Sequence, residues 1–229
     1  MVPLSFAGHR LFVAGDAALW WPARRALLLA DLHLEKGSFF AAAGQMLPPY
    51  DSRATMEAID ALVASTRPER VFCLGDNYHD DAGEARLAPC AASILQRLTG
   101  TLDWIWIRGN HDREVRGRWG GRAVTELEEH GLLLRHEAEP GETRPELSGH
   151  FHPKLRMTVR GRRIARRCFL RTETKLILPA FGSLTGGLDV DHPEIARACA
   201  APPEALVALA DRLACFPVGA SRTMARKRA

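Results

Sequence analysis

The chain is short of long apolar runs, of lysine and of paired cysteine, and each shortage excludes something. No run reaches the roughly 18 apolar residues that suggest a membrane-spanning helix. Residues 1–6 lack the charged flank and long apolar core of a secretory signal, so a cytoplasmic protein without a membrane partner is expected. The five cysteines (Cys73, Cys90, Cys168, Cys199, Cys215) are odd in number and include no Cys-x-x-Cys pair, which argues against a disulfide framework or a zinc knuckle. Only four of the 31 basic residues are lysine, so the net charge of +4 is an arginine charge. A basic balance is compatible with a polyanionic partner. Arg-rich, Lys-poor usage also follows from a GC-rich genome, so charge alone does not point to nucleic acid.

The 229 residues, 46% of them apolar, suffice for a substantial core. No repeat or linker divides them. A single domain over residues 1–220 is expected, followed by a disordered basic tail over 221–229.

Chemistry-bearing side chains gather where apolar runs stop. The run Trp104-Ile105-Trp106-Ile107 ends at Gly109 and is followed by Asn110-His111-Asp112. Residues 26–30 run into Asp31-Leu32-His33, and residues 71–74 run into Gly75-Asp76-Asn77. Short apolar runs bounded by glycine read as buried strands. Parallel neighbours would bring their carboxyl ends together, where open α/β sheets bind ligands. Gly149-His150-Phe151-His152-Pro153 is a further ligand-rich turn.

The intervening patterns predict a hairpin over residues 3–21, a helix over 53–66 capped by Asp51, and a helix over 84–98. Strand, helix, strand, helix, strand indicates a largely parallel first sheet. Short strands over 124–127, 132–136, 155–159, 164–170 and 175–179 predict a second, mixed or antiparallel sheet. Residues 194–199 and 204–213 are expected to be helical, with an edge strand over 215–218.

Asp31, His33, Asp76, Asn110, His136, His150 and His152 form a nitrogen–oxygen ligand set without sulfur, suited to Mn, Fe, Zn or Co. His136 is preferred to His130 because it ends an apolar run, whereas His130 lies in a polar stretch; His9 and His192 read as surface residues. There are too many ligands for one ion and enough for two. A shared carboxylate can hold two cations about 3.5–4 Å apart, an arrangement used for phosphoester displacement. Asp76, on the middle motif, is the expected bridge.

Taken singly, Asp-x-His is more often a turn than a ligand pair. In this order, however, Asp31-x-His33, Gly75-Asp76, Gly109-Asn110-His111-Asp112, the isolated His136 and Gly149-His150-x-His152 resemble the calcineurin-like metallophosphoesterases. The resemblance implies a four-layer α-β-β-α sandwich of two mixed sheets flanked by helices. It is consistent with Asp31, His33, Asp76 and His152 at one metal and Asp76, Asn110, His136 and His150 at the other. It makes His111 the group that stabilises developing charge or protonates the leaving oxygen. Many members of that superfamily read Gly-Asp-x-x-Asp, the second Asp orienting this histidine. Here His79 stands in that place and Asp80 one further on, so Asp80 is a candidate orienter and His79 a second candidate for a catalytic or substrate-facing role.

Asp31-Leu32-His33-Leu34-Glu35-Lys36-Gly37-Ser38, Leu47-Pro48-Pro49-Tyr50-Asp51 and the stretch from Leu178 to Leu188 resemble, more closely, the bacterial ligase-associated DNA damage response endonucleases, the PdeM group. That resemblance implies a manganese-dependent phosphodiesterase acting on DNA in repair. It also implies functional association with an ATP-dependent DNA ligase, a helicase and an exonuclease. Arg113, Arg116 and Arg118 are placed for phosphate contact. Residues 151–175 carry nine basic side chains and one acidic one, which reads equally as a phosphate-contacting hairpin or as a solvated one. The competing functions are a phosphomonoesterase or nucleotide pyrophosphatase on the same scaffold, and a non-catalytic adaptor. The complete ligand set disfavours the adaptor.

Overall fold

Successive strand residues point to opposite faces, and here the two parities go to different apolar interfaces. The computed structural model describes residues 1–219; the tail expected over 221–229 lies outside the described residues. The first sheet takes its strands in chain order: β1 (Val2–Phe6), β2 (His9–Ala14), β3 (Ala18–Trp21), β4 (Ala26–Leu29), β5 (Arg70–Leu74), β6 (Asp103–Ile107) and β7 (Arg122–Val124). Pairing is antiparallel from β1 to β4 and parallel from β4 to β7. The first helices are α1 (Lys36–Ala42), α2 (Asp51–Thr66), α3 (Gly83–Arg86) and α4 (Pro89–Thr99).

The second sheet contains β8 (Leu127–Glu129), β9 (Leu132–Leu134), β10 (Glu146–Ser148), β13 (Phe169–Arg171), β14 (Lys175–Ile177), β15 (Glu204–Ala208) and β16 (Leu213–Pro217). Its β9, β10 and β14 run parallel. Strands β11 (Lys154–Val159) and β12 (Arg162–Arg167) form a separate two-stranded ribbon, and α5 (Pro193–Cys199) covers the outer face.

Leu28, Phe72, Leu74, Ile105 and Ile107 of the first sheet meet Leu134, Leu147, Phe169, Leu176 and Leu206 of the second in one buried core. The alternate residues Leu27, Leu29, Val71, Cys73, Trp104 and Trp106 pack outward under Met56 and Ile59 of α2 and Leu95 and Leu98 of α4. On the far side, Leu170, Ile177, Ala205 and Val207 pack under Ile195 and Ala198 of α5. The result is the four-layer α-β-β-α arrangement with two mixed sheets. No described helix is long and apolar enough to cross a membrane.

Four local expectations need correction. Residues 204–213 form a strand and a turn, not a helix: Ala205 and Val207 face one core and Leu206 the other. A strand buried on both faces is a continuous apolar run, which periodicity cannot tell from a buried helix. The helix expected over 84–98 is split, because Leu87 and Ala88 are extended ahead of Pro89, as residues before proline tend to be. Asp51 lies inside the first turn of α2 and accepts the Gly37 backbone N–H at 2.9 Å instead of capping its own helix. The hairpin over 154–167 stands apart from the second sheet because β11 and β12 pair with each other, and Lys154 bridges to Asp189 in a loop instead of to a strand of that sheet.

Lys175 is buried, donating to Glu146 Oε1 and to the Glu139 carbonyl oxygen, each at 2.6 Å. Lys175→Met should leave the fully buried Glu146 with the Glu139 N–H at 3.1 Å and Arg135 at 3.5 Å and destabilise the fold by about 3 kcal/mol in a denaturant melt. Pairing it with Glu146→Leu should recover much of the loss.

Candidate metal centre

The site lies where parallel strands of both sheets end. β4, β5 and β6 deliver Asp31 and His33, Asp76, and Asn110 and His111 respectively. β9 delivers His136, and β10 delivers His150 and His152. Backbone bonds lock these turns together: Asp31 N–H to Gly75 O at 3.1 Å, His33 N–H to Asp76 O at 2.9 Å and Gly149 N–H to His136 O at 2.8 Å. Glycine is required by the close approach. A Cβ on Gly109 would lie 2.1 Å from Asp76 Oδ1, and one on Gly149 would lie 2.5 Å from Asp31 Oδ2.

The backbone itself is strained here. Asp31, His33, Asp76, His150 and His152 adopt φ of 53°, 44°, 47°, 72° and 45°, in the left-handed region that non-glycine residues rarely occupy. Such conformations cost of order 1–3 kcal/mol each, and the surroundings must impose them. Asp112 and Asn77 supply part of that constraint. Asp112 is buried, and its Oδ2 accepts from the Asn77 backbone N–H and side-chain amide, both at 2.8 Å. Its Oδ1 accepts from Gly109 N–H at 2.8 Å, so one carboxylate ties the turn after β5 to the turn after β6. Neither residue stood out as a site residue in the sequence; the Asp closing Asn110-His111-Asp112 was the available signal.

The seven expected ligands converge. Asp76 presents one oxygen to each of two imidazole sets: Oδ2 lies 3.6 Å from His33 Nε2, and Oδ1 lies 3.3 Å from His136 Nε2. Asp31, His33, Asp76 and His152 offer ligand atoms all within 4.8 Å of one another, as do Asp76, His136 and His150. Asn110 Oδ1 joins the second set, 2.9 Å from both His136 Nε2 and His150 Nδ1. His130 lies elsewhere, with its ring against Trp21.

Proton placement tests whether cations fit. His136 Nδ1 lies 3.0 Å from the Leu74 carbonyl oxygen, which can only accept, so Nδ1 carries a proton and in the neutral ring Nε2 offers a lone pair. That lone pair faces the oxygens of Asn110 and Asp76. Acceptors aimed at one another repel unless positive charge lies among them, so the donor set fits a cation. Burial drives the His33 imidazole down to about 2, which keeps it neutral and able to ligate. Burial would raise the Asp31 carboxyl, but opposing influences led by the hydrogen bond to His152 hold it below its ordinary value. Burial pushes Asp112 up to about 6 despite its backbone donors.

His111 and His79 sit at the open rim. His111 Nε2 lies 3.9 Å from Asp76 Oδ2, while its Nδ1 meets the His79 carbonyl oxygen at 2.9 Å. Asp80 does not orient it: its carboxylate is held by Arg86, 3.0 Å from Nη1, and that pairing keeps its pKa below the ordinary range. The extra residue after Asn77 thus hands the orienting role to a backbone carbonyl. The His79 ring stacks on His111 at 5.2 Å and places Nδ1 3.2 Å from His33 Nδ1. Of the three arginines, Arg113 is exposed and without an ion pair among the described residues. Arg116 lies 3.5 Å from Glu114, and the Arg118 guanidinium lies over Trp119 at 5.6 Å.

Residues 24–156 match the family model described as calcineurin-like phosphoesterase. Among solved structures, the chain is similar to the nuclease MPE of Pseudomonas putida, at 31% identity and a TM-score of 0.70, over 94% of this chain and 98% of that one. It also matches the phosphoesterase YfcE of E. coli at 16% identity and a TM-score of 0.40, over 79% and 86% of the two chains. A search of curated proteins returned no match.

Gly109→Ala should push Asp76 out of place without unfolding the sheets. A divalent cation titrated calorimetrically should then bind the variant in smaller number or more weakly than it binds the parent, with the far-ultraviolet dichroism unchanged.

Proposed function

The chain belongs to the calcineurin-like phosphoesterase family, whose members use divalent metals and hydrolyse phosphoester bonds, and from that premise we propose that it is a manganese-dependent endonuclease cutting DNA phosphodiesters. The observation that carries the reading is Asp76, whose two oxygens serve two separate ligand sets. The likeness to a nuclease over nearly the whole chain favours a nucleic-acid diester over a small monoester. A part in DNA repair, cytoplasmic and alongside a ligase, a helicase and an exonuclease, belongs to the proposal through the family resemblance.

Asp31, His33, Asp76 and His152 would hold one ion, and Asp76, Asn110, His136 and His150 the other. Such a pair supplies a nucleophilic water near neutral pH and neutralises charge on the phosphoryl oxygens. The remaining work falls to the protein. His111, exposed at the rim with Nδ1 on the His79 carbonyl oxygen and Nε2 3.9 Å from Asp76 Oδ2, can donate from Nε2 to a phosphoryl oxygen or to the departing oxygen as the imidazolium, with both ring nitrogens protonated. His79 acts through His111 and His33, as a positioning residue packed under Phe39 and Phe40. Arg113 is the best placed of the three arginines for a flanking phosphate.

Bis-p-nitrophenyl phosphate, its monoester and plasmid DNA, each with manganese, test the reading. Diester turnover and plasmid nicking are expected, both abolished by Asp76→Ala; monoester turnover without either would overturn it. His111→Ala should lower kcat by about 10²–10⁴-fold, whereas Asp80→Asn should stay within about tenfold of the parent because it does not orient His111.

A further inference from the structure

The ribbon β11–β12 takes no part in the chemistry above. Residues directly opposite in an antiparallel pair share a face. Lys154 opposite Arg167, Arg156 opposite Ala165 and Thr158 opposite Arg163 therefore form one face. Leu155, Met157, Val159 and Ile164 lie on the other with Arg162 and Arg166, which are exposed; Leu155 is buried there and Met157 packs against the outer core. Leu155 and Met157 turn that face inward at its base, and the face with the larger cationic share, Lys154, Arg156, Arg163 and Arg167, is turned away from that core.

Like charges directly opposite, as at Lys154 and Arg167, destabilise a strand pair, so ribbon stability does not account for this arrangement. Compensation is partial. Arg167 lies 3.5 Å from Asp16 and Arg156 lies 3.8 Å from Asp189. Arg160, Arg162 and Arg163 are exposed and have no ion pair among the described residues.

The root of this face adjoins the metal centre. Arg167 donates to the Gly182 carbonyl oxygen at 2.7 Å, and Gly182 N–H reaches the Asp31 carbonyl oxygen at 3.1 Å. Arg156 donates to Gly187 O at 3.3 Å. A Cβ on Gly187 would lie 2.2 Å from the His152 carbonyl oxygen and 3.1 Å from the Lys154 side chain. Both strands thus pack against a loop that touches Asp31 and His152, and β11 itself follows directly from His152-Pro153.

We propose that the cationic face of β11–β12 is an arm that holds the phosphates of a DNA strand leading away from the metal centre, with Arg156 as its contact near the root and Arg163 as its contact near the tip. This rests on the DNA-cutting reading for its ligand, while its location rests on the ribbon alone. Each phosphate contact made by a cation contributes about 0.7–0.9 to the slope of log affinity against log salt.

The test is fluorescence anisotropy of a labelled oligodeoxynucleotide with the full chain over a salt series, beside cleavage of the same oligonucleotide and of bis-p-nitrophenyl phosphate. Arg163→Gln should lower the salt slope by about 0.7–0.9, and the double variant with Arg156→Gln by about twice that. Arg163→Glu should weaken binding further, and the ratio of oligonucleotide to small-diester kcat/KM should fall with it. Wild-type affinity and slope in Arg163→Glu would overturn the arm, even if DNA is cut. Loss of binding in that variant, in a protein that hydrolyses the small diester but never cuts DNA, would uphold the arm and reject the nuclease reading.

Discussion

Lone pairs directed at one another are what the rest of this structure has to accommodate. Two carboxylates, an amide oxygen and imidazole nitrogens meet at the joined edges of the two sheets, and Asp31, His33 and Asp76 are buried there. In a low-dielectric setting such a gathering is repulsive until positive charge enters it. It persists because the surrounding turns are over-determined. Left-handed backbone at five of the seven candidate ligands is held by hydrogen bonds between neighbouring turns and by the Asp112 carboxylate that joins two of them. Stability is invested in three apolar interfaces away from the site, which leaves its edge able to carry strain.

The drawing-together of ligands follows from strand direction. Parallel neighbours end on the same side, so β4, β5 and β6 place their turns in a row, and β9 and β10 do so on the facing sheet. This much was legible in the sequence, because an apolar run followed by glycine and a polar triplet carries both the strand and its end. The two layers were legible as well, since β-type patterns recur after residue 120 with different connections.

What was not legible has identifiable causes. The β15 segment is apolar on both faces, so it carries no period to read. The orienter of His111 is a backbone carbonyl, and a carbonyl leaves no mark in a sequence; the nearby carboxylate of Asp80 suggested a role that its pairing with Arg86 removes. Asp112 is chemically a plausible ligand, and only coordinates distinguish a carboxylate that faces the centre from one that turns back to hold two loops. The separate ribbon depends on which strands find partners, a long-range outcome that local pattern does not encode.

Because the two ligand sets come from both sheets, their spacing is a property of how the sheets pack. Asp31 and His33 ride on β4 of the first sheet and His152 on the turn after β10 of the second, yet His33 Nε2 and His152 Nε2 lie 3.2 Å apart. Asp76 and His136 likewise reach across from different sheets. Close-packed interiors transmit displacement instead of absorbing it. The side chains that set the separation of the sheets near this edge, Leu74, Ile107, Leu134 and Leu147, therefore act on the centre without touching it. Cations bound there would in turn hold the two sheets in register, since any ligand that prefers the folded state stabilises it. Core packing and metal affinity are then two expressions of one constraint: the distance between two β-layers that share an aspartate at their common edge.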